Sequence, residues 1–379
     1  MTFLIHDSDR HVIEPLAMWQ DYVDKAIMER VQLELVALDS PGIKLSPELR
    51  IKGKPVLKNW TMPMKVAAAH KKLNSVPQMH LGTRPEFQTV AMDEEQIASA
   101  NMFPTFAAFI VNNENLSAEE SLAFAQAYNR WLSDYCAEDP SRLHGVGLVS
   151  RHDPSNLLEQ LEAIYELGFR TITMRAEIIL GRTLGDPAYD EFWQQCEQRS
   201  IGIAFHGGTH LQAETVGHDR FNTHFGLHAC AHSMELQMAF VSLLEAGVLE
   251  RHPSLKFAFL EGGASWVPHW LWRLDEICYT DLPKEIESNI RMKPSEYFKR
   301  QCWVALEIGE PCLREVVNSI GIKRIIYGTD FPHPDHVQFD IKDISEACGE
   351  LDDDELQKIL ADNAFEFFGH KPPEHSTQH

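Results

Sequence analysis

The chain has 379 residues, of which 44% are hydrophobic, enough to bury one large core or two small ones. Its formal net charge of −22 sets it against phosphate backbones and anionic lipid, so neither nucleic acid nor membrane is an expected partner. No apolar run reaches the length of about eighteen residues that suggests a membrane span, and Met1-Thr-Phe-Leu-Ile-His6 lacks the basic region and apolar core of a signal peptide, so a cytoplasmic protein is expected.

Phe3-Leu-Ile5 is a short apolar run that suits a buried strand and leads into the polar cluster Asp7-Ser-Asp9-Arg-His11-Val-Ile-Glu14-Pro15. Residues 16–92 begin with a helical sign at Met18-Trp19 and Tyr22. Pro41-Gly42, Pro47, Gly53, Pro55, Pro63, Pro77 and Gly82 then break the segment too often for a long regular element, and it reads as an irregular insertion over one end of the domain. Asp93-Glu-Glu-Gln96 offers an N-cap and an acidic first turn, and Asn101-Met-Phe-Pro-Thr-Phe106 a strand with its exit loop. Ser117-Ala-Glu-Glu120 caps a helix running to Cys136, with Leu122, Phe124, Ala125, Tyr128 and Leu132 on its apolar face. Strands at 143–149 and 171–174 flank a helix at 154–167 that Gly168 ends. A helix over 187–199 starts on Pro187, and the strand 201–205 delivers His206-Gly-Gly208. A longer helix over about 225–249 precedes the strand 255–260, which ends in Glu261-Gly-Gly263. A helix over 265–278, a strand at 302–306, a helix near 311–319, the strand 324–327 and helices near 340–348 and 353–368 complete the series. The polar tail 370–379 is expected to fray.

Strands near residues 5, 102, 147, 173, 204, 258, 304 and 326 thus alternate with helices without a stop. Eight β-α units predict an α/β fold, a closed (β/α)8 TIM barrel in a single domain over 1–379. An open doubly wound sheet is the alternative, weakened because no Gly-rich dinucleotide fingerprint follows the first strand.

Residues that follow the strands of such a barrel meet at one rim. These are Asp9 and His11 after the first strand, Arg175 and Glu177 after the fourth, His206 after the fifth, Glu261 after the sixth and Glu307 after the seventh. Asp330 and His333 follow the eighth, within Tyr327-Gly-Thr-Asp330-Phe-Pro-His333-Pro-Asp335. Asp9, His11, His206 and Asp330 offer two imidazoles and two carboxylates, a set that suits one Zn²⁺, Mn²⁺ or Fe²⁺ ion. The 19 histidines raise the prior for such a site, and the seven scattered cysteines, with no CxxC pair, provide no thiolate alternative. One ion rather than two is favoured, because strand four ends in Met174-Arg175 and has no lysine to bridge a second metal.

Each candidate has a plainer reading. Asp330 could be a helix N-cap and His206 a hydrogen-bonded core histidine. Convergence from strands one, five and eight favours the metal for Asp330, and the flanking Gly207 and Gly208, which let backbone approach a ligand, favour function for His206. Arg175 is either a bidentate clamp for a substrate carboxylate or half of a structural ion pair. His210, in the loop above His206, and His333 are further expected substrate contacts. His224, His228 and His232 recur every four residues and share a helix face, with His232 expected to reach the pocket as a catalytic group.

The Asp9-x-His11 pair, His206-Gly-Gly, Glu261-Gly-Gly-Ala-Ser-Trp-Val-Pro268 and Tyr327-Gly-Thr-Asp330-Phe-Pro-His-Pro resemble the amidohydrolase superfamily, and within it the aminocarboxymuconate-semialdehyde decarboxylase-like group, over about residues 3–368. The resemblance implies a divalent ion on Asp9, His11, His206 and Asp330, with Zn expected first and Mn or Fe as alternatives. It also implies a homo-oligomer, a dimer or larger. Two positions depart from the family's pattern. The first-strand motif is usually His-x-His, and Asp9 in its first place makes the site harder and admits Mn²⁺ beside Zn²⁺. The sixth strand usually ends in a catalytic His, and Glu261 stands there instead, able to act similarly only if burial raised its pKa. The activity expected from the resemblance is a metal-dependent hydrolase for a small carboxylated or aromatic, ring-derived compound, with Asp330 as general base toward a metal-activated water. The missing sixth-strand His tips the expectation that way. Non-oxidative decarboxylation of an aromatic or unsaturated carboxylic acid, with Asp330 giving a proton to carbon, is the alternative. A non-catalytic barrel used for binding or as a scaffold is a third reading.

Overall fold

The computed structural model describes residues 3–36, 39–40, 43–44, 48–57, 79–208, 213–307, 309–333, 348 and 351–373. Eight strands among them form the barrel: β1 (His6–His11), β2 (Ser99–Phe103), β3 (Leu143–Gly145, continued by Gly147–Leu148), β4 (Thr171–Arg175), β5 (Gly202–His206), β6 (Phe257–Leu260), β7 (Cys302–Leu306) and β8 (Ile325–Tyr327). Each pairs in parallel with the next. The ring shuts where Arg10 bridges Phe331 in parallel. There the His11 N–H donates to Phe331 O and the Asp330 N–H to Asp9 O, each at 2.7 Å. The expected (β/α)8 barrel is the fold.

Alternation along the strands sorts the core into two layers. Ala204, Ala258, Leu260, Trp303, Ala305 and Ile326 face the barrel interior with Phe103 and Val146. Their neighbours Ile203, Phe205, Phe257, Phe259, Val304 and Ile325 face the outer layer beneath the helices. Burial on both faces explains why these strands read as continuous apolar runs. The C-terminal helix Asn363–Phe368 adds Ala364, Phe367 and Phe368 to the interior. A Cβ on Gly202, the first residue of β5, would lie 3.1 Å from the Phe367 ring. The helix therefore plugs the end where the strands begin, and the end where they finish is left to the site.

Several local expectations change. The polar cluster does not follow the first strand but forms it, and all six residues of β1 are buried. Polar residues can occupy a buried strand because neighbouring segments supply partners: His6 bonds Ser99 and Asn101, and Arg10 bonds Gln88 and Glu95. Asp93 does not cap a helix but lies near the end of one, Pro85–Glu94, because Pro85 favours the first turn and Gln96, at φ +59, turns the chain away. The helix expected over 225–249 is two, His224–Glu245 and Val248–Arg251, divided at Gly247. The capping box of Ser117 and Glu120 is present as read.

Within the insertion, Met18–Tyr22 and Lys25–Val31 are short helices, and Glu34–Val36 pairs antiparallel with Glu48–Ile51. Trp19 lies 5.2 Å from the Phe124 ring of the helix Ala118–Cys136, and Val31, Ile51 and Val56 join the outer core. His370 is not frayed, since its ring stacks on His144 at 4.0 Å. The helix expected near 340–348 falls almost wholly outside the described residues, as do 374–379. Among the described residues no helix is long and apolar enough to cross a membrane.

Candidate active site

Asp9 and His11 come from β1, His206 from the end of β5, and Asp330 from the turn after β8. His11 Nδ1 donates to the Pro104 carbonyl at 3.0 Å, which leaves the Nε2 lone pair directed at the barrel mouth. His206 Nε2 lies 2.9 Å from His11 Nε2 and 2.9 Å from Asp9 Oδ1. Asp9 Oδ1 is 3.4 Å and Asp330 Oδ1 3.2 Å from His11 Nε2. Two imidazole nitrogens and two carboxylates thus face one another at a spacing that only a positive charge can reconcile.

The electrostatics agree. Burial alone would raise the Asp9 carboxyl, yet His206 and His11 hold it well below the usual carboxylate range. Burial opposes a charge on His11, but hydrogen bonds to Asp330 and Asp9 outweigh it and lift the group to about 9. His206 is likewise raised against burial by Asp9 and Glu261. Three overlapping groups have ligand atoms close enough to share an ion: Asp9, His11 and His206; His11, Asp330 and His333; and His206, Glu261 and Asp330. Nitrogen and oxygen donors of this kind fit one divalent cation.

Backbone geometry fixes the carboxylates. Asp330 and Glu261 both occupy the left-handed region, at φ +57 and +54. Such angles are uncommon outside glycine and persist where surrounding contacts enforce them. For Asp330 the contacts are its N–H bond to Asp9 O and His333 Nδ1, 2.7 Å from its Oδ1. Gly328 makes the approach of β8 to β1 possible, because a Cβ there would stand 2.5 Å from Asp9 Cβ.

The buried Asp7 ties this junction together. Its carboxylate accepts from Thr329 N (3.0 Å), Thr329 Oγ1 (2.6 Å), Asp9 N (3.1 Å) and Arg10 Nη1 (3.3 Å). Glu14 similarly accepts the backbone N–H groups of Thr105, Phe106 and Ala107, securing the turn after β2. The sequence reading gave neither residue a role. The period-two spacing of Asp7, Asp9 and His11 was a signal for Asp7, obscured by reading these residues as a loop; Glu14 carried none.

The remaining candidates sit around this cluster. His333 stacks on His11 with centroids 4.1 Å apart, and its Nε2 lies 2.9 Å from Thr105 Oγ1. Both of its ring nitrogens are thereby engaged. Glu261 Oε2 is 3.1 Å from His206 Nδ1, and His232 Nδ1 donates to the Glu261 carbonyl at 2.9 Å. His228 stacks on His232 at 4.3 Å and His224 follows at 5.2 Å, a row leading outward along the helix. Arg175 shares register with His206 and so the inward face of the sheet, where its Nε binds Glu177. Glu235 approaches the same pair from the helix side. Burial, reinforced by Glu177 and partly offset by Arg175, pushes its carboxyl up to about 7. Glu307 is exposed, and His210 lies outside the described residues.

The amidohydrolase family model matches residues 76–370. A 2-amino-3-carboxymuconate-6-semialdehyde decarboxylase of Dictyostelium discoideum is 27% identical over 263 residues, covering 67% of this chain and 68% of that protein. Among solved structures, an amidohydrolase from Mycobacterium avium subsp. paratuberculosis matches with a TM-score of 0.74 at 20% identity, over 98% of this chain and 99% of the other. A dihydroxybenzoic acid decarboxylase from Polaromonas sp. JS666, holding manganese and the inhibitor 2-nitroresorcinol, matches with a TM-score of 0.68 at 16% identity, over 97% of each chain. At such identities the solved structures bear on the fold alone, whereas the family match runs from ahead of β2 through the helix that plugs the barrel. It takes in the turns bearing His206, Glu261 and Asp330, and on that ground the chain is an enzyme of the amidohydrolase family, in its aminocarboxymuconate-semialdehyde decarboxylase-like group.

Proposed function

We propose that this metal-dependent enzyme is a non-oxidative decarboxylase of an aromatic or unsaturated carboxylic acid, with Asp9, His11, His206 and Asp330 as the metal ligands. The observation that carries the reading is the environment of Asp330, whose carboxylate stands in the donor cluster against His11 while His333 holds it from the other side. A carboxyl group in that position can relay a proton to a neighbouring carbon. The buried arginines among the described residues are already engaged: Arg10 with Asp7, Gln88 and Glu95, Arg151 with three backbone carbonyls, and Arg175 with Glu177. That supports the ion, rather than an arginine clamp, as the anchor for a substrate carboxylate.

The metal, when bound, supplies Lewis acidity and a fixed point for the substrate's carboxylate and an adjacent oxygen. Asp330 relays a proton to the carbon bearing the carboxylate, that carbon's bond to the carboxyl carbon breaks, and carbon dioxide leaves. Asp330 then recovers a proton from solvent. His333 orients Asp330 through the transfer, and Thr105 orients His333. His232, whose Nδ1 is committed to the Glu261 carbonyl, offers its Nε2 edge to the substrate.

Decarboxylation is preferred to hydrolysis because decarboxylases recur among the similar proteins. Manganese is preferred to zinc because the donor set is half carboxylate and the Polaromonas structure holds that ion. The test is incubation of Mn²⁺-loaded protein with a panel of hydroxybenzoates and methoxy-substituted aromatic acids while carbon dioxide is measured. Release from at least one member is expected. No release from any, together with turnover of lactones or amides, would return the reading to hydrolysis.

A further inference from the structure

We infer that Glu261 is a positioning residue for His206: its carboxylate takes the Nδ1–H of the ring and thereby turns Nε2 toward the metal. This deepens the metal reading above and rests on it.

The two ring nitrogens of His206 face different neighbours. Nε2 looks toward Asp9 Oδ1 and His11 Nε2, each 2.9 Å away. Nδ1 looks toward Glu261 Oε2 at 3.1 Å, with the Gly207 carbonyl at 3.2 Å. Carboxylates face both nitrogens, Asp9 on Nε2 and Glu261 on Nδ1, so with a cation held between Nε2 and Asp9 the single proton of a neutral imidazole goes to Nδ1, where Glu261 accepts it. An acidic partner on the non-ligating nitrogen also raises the basicity of the ligating one and fixes the plane of the ring. His11 is held in the same sense by the Pro104 carbonyl.

The backbone explains how an acid at this position reaches the ring. Ala258 and Leu260 of β6 face the barrel interior, so residue 261 would face outward if the strand continued. At φ +54 the chain leaves the strand instead, and the side chain swings back over β5. His232 Nδ1 anchors the turn through the Glu261 carbonyl.

The two glycines after His206 complete the fit. A Cβ on Gly207 would lie 3.2 Å from Glu261 Oε2 and 2.9 Å from its carbonyl oxygen, and a Cβ on Gly208 would lie 3.1 Å from Oε2. The space that a side chain would fill is taken by the Glu261 carboxylate. His206-Gly-Gly and Glu261-Gly-Gly therefore interlock as one device. A carboxylate committed to the imidazole in this way is withdrawn from acid-base work on the substrate. Its Oε2 faces Nδ1, not the Nε2 that Asp9 and His11 approach, and because its carboxylate also lies within 4.8 Å of an Asp330 oxygen the test below distinguishes a positioning role from direct ligation.

The test compares Mn²⁺ affinity of the wild type with E261G and E261Q, reading free Mn²⁺ from its electron paramagnetic resonance signal. Glycine accepts the left-handed backbone without strain and deletes the carboxylate, so the variant folds; glutamine keeps an oxygen that can accept the Nδ1–H. Expected are a loss of about 10–100-fold in E261G and less than about tenfold in E261Q, the size usual for an outer partner of a metal-bound histidine. E261G binding as tightly as wild type would overturn the inference, as a purely catalytic acid would leave affinity unmoved. Equal and severe losses in both variants would also overturn it, by marking Glu261 as a direct ligand. If the wild type itself binds no Mn²⁺, the metal reading falls and this inference with it.

Discussion

Asp330 combines a strained backbone with two side-chain partners, and its substitution separates folding from chemistry. Asparagine tolerates the left-handed region at least as well as aspartate, so D330N should melt within a few degrees of wild type. If the proposed reaction holds, carbon dioxide release should fall by about 10²–10⁴, the usual worth of a positioned proton donor, in D330N whose Mn²⁺ content is measured alongside because Asp330 is also a proposed ligand. Unchanged carbon dioxide release from D330N would remove Asp330 from the reaction. A milder effect belongs to Thr105, which holds His333 from its far side at 2.9 Å. T105V removes one hydrogen bond, worth about 0.5–1.5 kcal/mol, and a roughly three- to tenfold drop in kcat is expected from a less well-oriented Asp330. At this scale Asp9, His11, His206 and Asp330 could be picked from sequence because the barrel brings strand ends together. The contacts of Glu261 and Asp7 could not. One depends on a backbone angle that residue type does not announce, and the other on hydrogen bonds to Thr329, 322 residues away.

The junction of β1 and β8 and the opposite, plugged end are the elements most open to test. Gly328→Ala would press a methyl against the Asp9 backbone as well as its side chain. A destabilisation of about 1–3 kcal/mol and weaker Mn²⁺ binding are expected, read from denaturant unfolding and metal titration. Near the start of the strands, buried His6 and half-buried His144 and His370 form a group in ring contact with one another. Burial, aided by repulsion within the group, lowers His6 to about 3 and His370 to about 2, and burial, opposed by Asp139, brings His144 to about 4. Unfolded histidine titrates near 6.5, so between that pH and about 4 the unfolded chain binds more protons than the folded one. Stability is then fully present above pH 6.5 and falls as pH drops through this window, by at most about 1.4 kcal/mol per pH unit for each such histidine. Phe365, Phe368, Asn101 and Ser99 face the group without charge, and Asp139 is the charged neighbour, opposing the fall at His144. H370F keeps the stack without the titration, so its urea midpoint should move less between pH 7 and pH 5 than that of wild type. An identical shift would discount the cluster.

For the whole molecule, the strand tally and the barrel were legible because six of the eight strands, β3 to β8, are short apolar runs set between helices. The first strand was displaced in the reading because its buried residues are polar, and burial of polar groups depends on partners that local sequence does not reveal. The expectation of hydrolysis ahead of decarboxylation rested on a similar gap. Loss of the usual sixth-strand histidine argued for hydrolysis only on the assumption that Glu261 replaces its chemistry, whereas the fold turns that carboxylate onto His206. One consequence of the shut ring concerns time rather than geometry. Asp9 and His11 are made before β2 to β7, and Asp330 only after them. The four donors cannot meet until the last strand is laid beside the first, so a nascent chain ending before β8 should fail to retain an ion that the finished barrel keeps. Metal capture then acts as a check on completeness, and chelation should first loosen the β1–β8 seam, seen as faster hydrogen exchange at the His11 and Asp330 amides than in the plugged end.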